Sequence, residues 1–196
     1  MMKKVLIFDF DGVLANTMQL HLELSRKFFP DVTEQDHINH GKSNPMLKPA
    51  IRYEKEHYPI YFDMYNKRVS NTEFYPLYDF LKKHSDKTIV ICSSSPREGI
   101  ENFLHANNIN EFIDEIYDVH LNPSKVEKLR MIMSKFNAKP EDCIFVTDTV
   151  GDINEAKKLN IDAIGVTWGL HSREILEKAK PLAIIDTIEE LDVLIQ

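Results

Sequence analysis

Four short apolar runs constrain this chain more than any other feature: Val5–Phe8, Thr88–Cys92, Cys143–Val146 and Ala163–Val166. Each is continuous rather than alternating, the pattern of a strand buried on both faces in a parallel sheet. Ile113–Val119 and Leu182–Ile185 are weaker strand candidates. Helical periodicity fills the intervals. Ile100, Phe103 and Leu104 share one face, as do Val126, Leu129, Met133 and Phe136. Ser95-Pro96-Arg97-Glu98 predicts a capping box with Pro in the first helical position, and Ser124–Glu127 and Thr187–Glu190 repeat the box. Strand and helix alternate from residue 74 onward, which predicts a three-layer α/β core around a parallel sheet.

The first crossover breaks the alternation. One helix, expected at Phe74–His84, suffices to join strand one to strand two. Residues 14–73 are therefore surplus, with helical stretches expected at Met18–Phe29 and Pro45–His57. They read as a small helical cap set above the carboxyl edge of the sheet, which leaves 1–13 and 74–196 as the core.

A net charge of −7 argues against a nucleic-acid-binding surface covering much of the protein. No apolar run approaches the roughly 18 residues of a membrane helix. Met1–Phe8 imitates the start of a signal peptide, but Asp9 and Asp11 cut it short. The expected location is the cytoplasm. Cys92 and Cys143 both lie in strand-like runs and read as reduced core thiols.

Ligands of open α/β sheets bind beyond the carboxyl ends of the strands. There the sequence places Asp9, Asp11 and Gly12; Ser93, Ser94 and Ser95; Lys125; and Thr147, Asp148, Thr149, Gly151 and Asp152. Asp9 and Asp11 lean to one face of an extended chain. Carboxylates gathered at one spot repel unless a cation or a shared proton relieves them. Mg²⁺, a hard ion that prefers oxygen ligands, suits a site that also binds phosphate. Lys125 and the serine hydroxyls offer an arriving phosphoryl group a point charge and donors. Gly12 and Gly151 sit where a tight turn or a close backbone approach is expected.

Phe8-Asp9-Phe10-Asp11-Gly12-Val13 resembles the first motif of the haloacid dehalogenase-like hydrolase superfamily. Ile91-Cys92-Ser93 resembles the second, Lys125 the third, and Thr147-Asp148-Thr149-Val150-Gly151-Asp152 the fourth, with Thr147 in place of the usual Gly. Gly165-Val166-Thr167-Trp168-Gly169 is similar to the phosphoglycolate phosphatase and β-phosphoglucomutase-like branch, whose members carry a helical cap after the first motif.

The resemblance implies a Rossmann-like core and a Mg²⁺-dependent phosphatase that acts on a small phosphorylated metabolite through an aspartyl-phosphate. Asp9 is then the nucleophile. Asp11 is the acid and base, with a pKa expected to be raised by crowded carboxylates. Ser93, Ser94 and Lys125 bind phosphate. Asp9, the Asp11 carbonyl and Asp148 hold the metal, and Asp152 orients a metal water or Lys125. The presence of Asp11 favours phosphate chemistry over carbon–halogen cleavage. A phosphomutase or phosphotransferase and a non-catalytic phosphate-sensing module remain alternatives.

Gly41-Lys42-Ser43 imitates the end of a P-loop, but Asp36 stands where that motif needs Gly and no strand precedes it. By analogy with related caps, His40, Lys42, Ser43, Asn44 or Lys48 either touch the substrate or belong to a solvated loop. His37 and His40 lack a third ligand for a metal. Trp168, His171 and the group Tyr53, Tyr58, Tyr61 and Tyr65 read as packing or surface residues.

Overall fold

The computed structural model describes residues 3–44 and 51–195. Its strands are β1 (Val5–Phe8), β2 (Thr88–Cys92), β3 (Glu115–Tyr117), β4 (Cys143–Thr147), β5 (Asp162–Val166) and β6 (Ala183–Ile185). They form one sheet in the order β3-β2-β1-β4-β5-β6, and every pairing is parallel. Both weaker strand candidates are strands, trimmed to three residues each.

The continuous apolar runs are explained by what covers the two faces. Leu6, Phe8, Ile89, Ile91, Ile144 and Val146 belong to one core cluster, and Val5, Ile7, Val90, Cys92, Cys143 and Phe145 to the other. Alternate residues of each strand thus enter opposite cores, so neither face tolerates a polar position. The helices are α1 (Met18–Ser25), α2 (Glu34–His40), α3 (His57–Arg68), α4 (Tyr78–Lys83), α5 (Arg97–Ala106), α6 (Lys125–Lys135), α7 (Val150–Lys157), α8 (Arg173–Leu176) and α9 (Ile188–Leu194). None of the described helices is long and apolar enough to cross a membrane. Cys92 and Cys143 are buried and unbridged, and burial pushes their thiols up to about 12 and about 11. Neither is a nucleophile at neutral pH.

Register places the chemistry. Phe8 of β1 lies beside Ile91 of β2 and Val146 of β4, and the Asp9 N–H donates to the Val146 carbonyl at 2.9 Å. Asp9, the serines after β2 and Asp148 therefore leave the sheet at one edge, where the chain order switches direction.

Three local expectations need correction. The crossover helix spans only Tyr78–Lys83, because Phe74 forms an antiparallel bridge with Ala15 and the Tyr75 N–H donates to the Leu14 carbonyl. The departing and returning strands of the insert thus lie side by side. Met18–Phe29 stops being helical at Ser25, and residues 51–56 precede rather than join α3. The rest of the Pro45–His57 expectation, and Lys48, lie outside the described residues. Finally, Ser95 caps no helix: α5 starts after Pro96, and the Ser95 hydroxyl bonds to Asp11 instead. Ser124 does cap α6, accepting from the Glu127 N–H at 3.4 Å.

The insert contributes a small cluster of its own, Leu22, Val32 and Ile51 packed with Phe29 and Tyr53. Its other buried apolar side chains, Leu20 and Leu24 among them, pack into the larger cluster of the core instead. The insert therefore depends on the core for its fold. Tyr65 and Val69 are fully buried in the core cluster that also holds Phe10 and Phe103.

Candidate active site

One cavity of about 220 Å³ opens at the switch edge of the sheet. Its floor is built by the core. Asp9 ends β1 and is almost wholly buried; its Oδ1 accepts from the Phe10 N–H at 2.8 Å. Lys125, the first residue of α6, places Nζ 2.7 Å from Asp9 Oδ2 and 2.6 Å from Asp152 Oδ2. A lysine in the first turn is unfavourable for the helix dipole; the two buried carboxylates account for it. They outweigh burial and raise its pKa well above the ordinary lysine value, so it stays charged.

Asp152 also accepts from the Thr147 hydroxyl at 3.0 Å, which explains the Thr in place of Gly in this motif. Lys125 overcomes burial at Asp152 and holds that carboxyl low. Asp9 goes the other way. Burial, reinforced by Asp152 and Asp148, pushes it well above the usual range despite Lys125. Asp148 is pushed up to about 7 by burial; its Oδ2 accepts from the Leu170 N–H at 2.7 Å, and its Oδ1 has no partner.

Asp11 behaves contrary to expectation. Burial alone would raise its pKa, but His21, Ser95 and Tyr65 together hold it well below the usual carboxylate range. The Ser95 hydroxyl donates to Oδ2 at 2.5 Å, the Tyr65 hydroxyl to Oδ1 at 2.6 Å, and His21 Nε2 lies 2.9 Å from Oδ1. The carboxylate crowding expected here is found at Asp9 and Asp148 instead. Three donors on one carboxylate favour its ionised form.

The two glycines are required where they stand. Gly12 has φ +71°, and a Cβ there would lie 2.0 Å from Asp148 Oδ2. A Cβ on Gly151 would meet the Gly41 carbonyl at 2.9 Å, and the Gly151 N–H donates to that carbonyl at 3.0 Å. The end of α2 is thereby docked onto the fourth motif. His171 strengthens the dock: it is fully buried, its Nδ1 accepts from the Val150 N–H at 3.0 Å, and its Nε2 lies 2.8 Å from the Ile38 carbonyl.

Among the described residues, five buried side-chain atoms lack a hydrogen-bond partner, and four of them belong to residues lining this cavity: Thr17 Oγ1, His37 Nε2, Ser94 Oγ and Asp148 Oδ1. Buried polar groups are normally satisfied, so their convergence points to a bound ligand. Of the serines after β2, Ser94 and Ser95 line the cavity. Ser93 is fully buried, accepting from the Ser95 N–H at 2.9 Å, while its carbonyl accepts from the buried Lys128 ammonium.

The wall contributed by the insert differs from the one anticipated. Lys42 is exposed and donates to Asn39 at 2.7 Å; Asn44 is buried against Glu155 at 3.0 Å and the Pro123 carbonyl at 3.2 Å. Neither lines the cavity, nor does Ser43, whereas His40 does. The tyrosines read as packing residues also form wall: Tyr53, Tyr58, Tyr61 and Tyr65, with Phe62. Sequence reasoning passed over His21 and Lys128 and read Ser95 as a helix cap rather than a partner of Asp11. The spacing from Thr17 to His21 across one helical turn was the available signal for the first.

The donor set fits a divalent cation. Among the described residues no three His, Cys, Asp or Glu side chains form a ready-made metal cage. Two buried carboxylates, Asp9 and Asp148, the latter with an unpartnered oxygen, together with a main-chain carbonyl suit an ion such as Mg²⁺, which keeps several waters.

Comparison with known proteins decides the family. Residues 6–166 match the haloacid dehalogenase-like hydrolases. The chain belongs to that family. Among curated proteins it is similar to pyrophosphatase PpaX of Bacillus cereus (strain Q1), 24% identical over 94% of this chain and 93% of that one. Its fold is similar to that of a haloacid dehalogenase-like hydrolase from Streptococcus pneumoniae, with a TM-score of 0.83, 20% identity and 99% of each chain covered. It also resembles a structure described as a predicted phosphatase from Clostridium acetobutylicum, with a TM-score of 0.82, 22% identity and coverage of 100% and 99%.

Proposed function

We propose that this haloacid dehalogenase-like hydrolase is a Mg²⁺-dependent phosphatase that hydrolyses a small phosphomonoester through an aspartyl-phosphate. The observation that carries this reading is one cavity holding the Asp9–Lys125 pair at 2.7 Å beside the unpartnered Ser94 Oγ and Asp148 Oδ1. A nucleophile, a phosphate-binding cation and donor, and a carboxylate oxygen suited to a metal are what phosphoryl transfer to a carboxylate needs.

In this reading Asp9 Oδ attacks phosphorus, the ester P–O bond breaks, and the leaving oxygen takes a proton through Asp11. Water then attacks the acyl-phosphate, gives its proton to Asp11 and regenerates the Asp9 carboxylate. Lys125 and the Ser94 hydroxyl bind the phosphoryl oxygens, and Ser93 supports the turn that presents Ser94. Ser95, Tyr65 and His21 orient the Asp11 carboxylate, and His21 Nε2 at 2.9 Å is a proton source for it. Asp9, the Asp11 carbonyl and Asp148 would hold Mg²⁺, which supplies charge neutralisation between the Asp9 carboxylate and an anionic phosphate. Asp152 positions Lys125. Residues 14–73 act as a cap over a core made of 1–13 and 74–196, and the cap excludes water and selects the leaving group.

The test is release of inorganic phosphate from p-nitrophenyl phosphate with Mg²⁺. Asp9→Asn should lower turnover at least ~10⁴-fold while the far-ultraviolet circular dichroism is unchanged. Comparable rates in wild type and variant would refute the nucleophile assignment. Activity should vanish with excess chelator and return with added Mg²⁺.

A further inference from the structure

The cavity wall supplied by residues 53–62 is aromatic and, among the described lining residues there, carries no charged side chain. Tyr53, Tyr58, Tyr61 and Phe62 line it, with successive ring centroids 5.3–6.2 Å apart. Their hydroxyls are largely committed to the protein: Tyr61 OH lies 2.5 Å from His21 Nδ1 and Tyr53 OH 2.6 Å from Ser25 Oγ. They therefore offer the cavity ring surface rather than donors. Among the described lining residues Lys125 is the only lysine or arginine, and it is already paired with two carboxylates. The histidines at this end, His37 and His40, are driven down to about 4 by burial and are neutral at physiological pH. Among the described lining residues, none at this end offers a counter-charge to an anionic leaving group such as a carboxylate or a second phosphate.

Resting on the phosphatase reading, we propose that the substrate is the monophosphate ester of a compact, uncharged aromatic alcohol. Its ring seats against Tyr53, Tyr58, Tyr61 and Phe62, and His37 Nε2 is its polar contact. His37 is buried, lines the cavity and has no partner for that nitrogen. The ring is small: a cavity of about 220 Å³ lies below the ~300–1,000 Å³ of sites for larger ligands. Ring-on-ring contact strengthens binding about two- to tenfold per well-placed ring beyond area burial.

Two non-hydrolysable probes test the pocket without turnover. With Mg²⁺ present, calorimetric titration of the full-length protein should show benzylphosphonate binding at least tenfold tighter than phosphonoacetate. Phe62→Ala and Tyr58→Ala, both at partly exposed positions, should each reduce that ratio several-fold. Phosphonoacetate binding as tightly or more tightly, or a ratio unmoved by both variants, overturns the proposal. In turnover, benzyl phosphate should exceed phosphoglycolate and pyrophosphate in kcat/KM, and the reverse order also overturns it. Failure to hydrolyse any monoester would instead overturn the phosphatase reading, because the phosphonate comparison involves no bond cleavage.

Discussion

The two halves of the cavity obey opposite physics. The floor, supplied by the strand ends of the core, concentrates charge: Asp9, Asp148 and Asp152 surround Lys125, all of them nearly fully buried. The wall supplied by residues 14–73 concentrates rings, together with the neutral imidazoles of His37 and His40. The core half spends protein stability on holding three carboxyl groups and a lysine away from water. The cap half has no such cost and shapes a space. The contrast is one of kind: buried carboxyl groups and a lysine where the sheet fixes position, aromatic rings on the side supplied by residues 14–73.

The contrast can be broken most forcefully at Lys125. Lys125→Ala leaves Asp9 and Asp152 buried without their cation and should destabilise the fold by ~3–5 kcal/mol, read as a lower denaturant midpoint. A change below about 1 kcal/mol would mean that the floor is wetter than described. Tyr65→Phe sharpens the boundary, because Tyr65 belongs to the insert yet its hydroxyl reaches Asp11. Losing one hydrogen bond to a charged group is worth ~1.5–3 kcal/mol, so kcat should fall roughly tenfold or more with KM little changed. An unaltered kcat would confine the insert to selection alone.

The imidazoles give the wall a pH signature. His37 and His40 titrate near 4 in the folded protein, against about 6.5 when unfolded. Between those values the unfolded chain binds protons that the folded one refuses. Stability therefore rises with pH across that window and is lost as pH falls from about 6.5 to 4. His37→Gln should flatten that part of a stability–pH profile, and an unchanged slope would exclude His37 as its source. The smallest effect is expected from Lys42→Ala. Its ammonium is exposed and, among the described residues, donates to Asn39, so stability should move by less than ~0.5 kcal/mol and substrate preference should not move at all.

Much of the core could be read from sequence because its signals are local. An apolar run without alternation means a two-faced strand, and a polar residue at its carboxyl end means the ligand edge; Asp9, Lys125, Asp148 and Asp152 all converge there. The insert was harder. Its tyrosines have the same spacing whether they pack or line a cavity, and Lys42 and Asn44 look as suited to a ligand as His37 does. The Ser95 motif satisfied every rule for a helix cap, yet Asp11 claimed its hydroxyl, because a buried carboxylate outcompetes a backbone N–H that water or a neighbour can satisfy.

The chain alone determined the parallel α/β core and the set of carboxylates at the strand ends, since each follows from hydrophobic period and from residues adjacent in sequence. Only the tertiary structure decided which carboxylate is held ionised, which serine faces the cavity and what lines the cap. Those outcomes depend on partners dozens of residues apart, such as Tyr65 on Asp11 and Asn44 on Glu155. Burial and charge pairing act across space, and no local pattern encodes them.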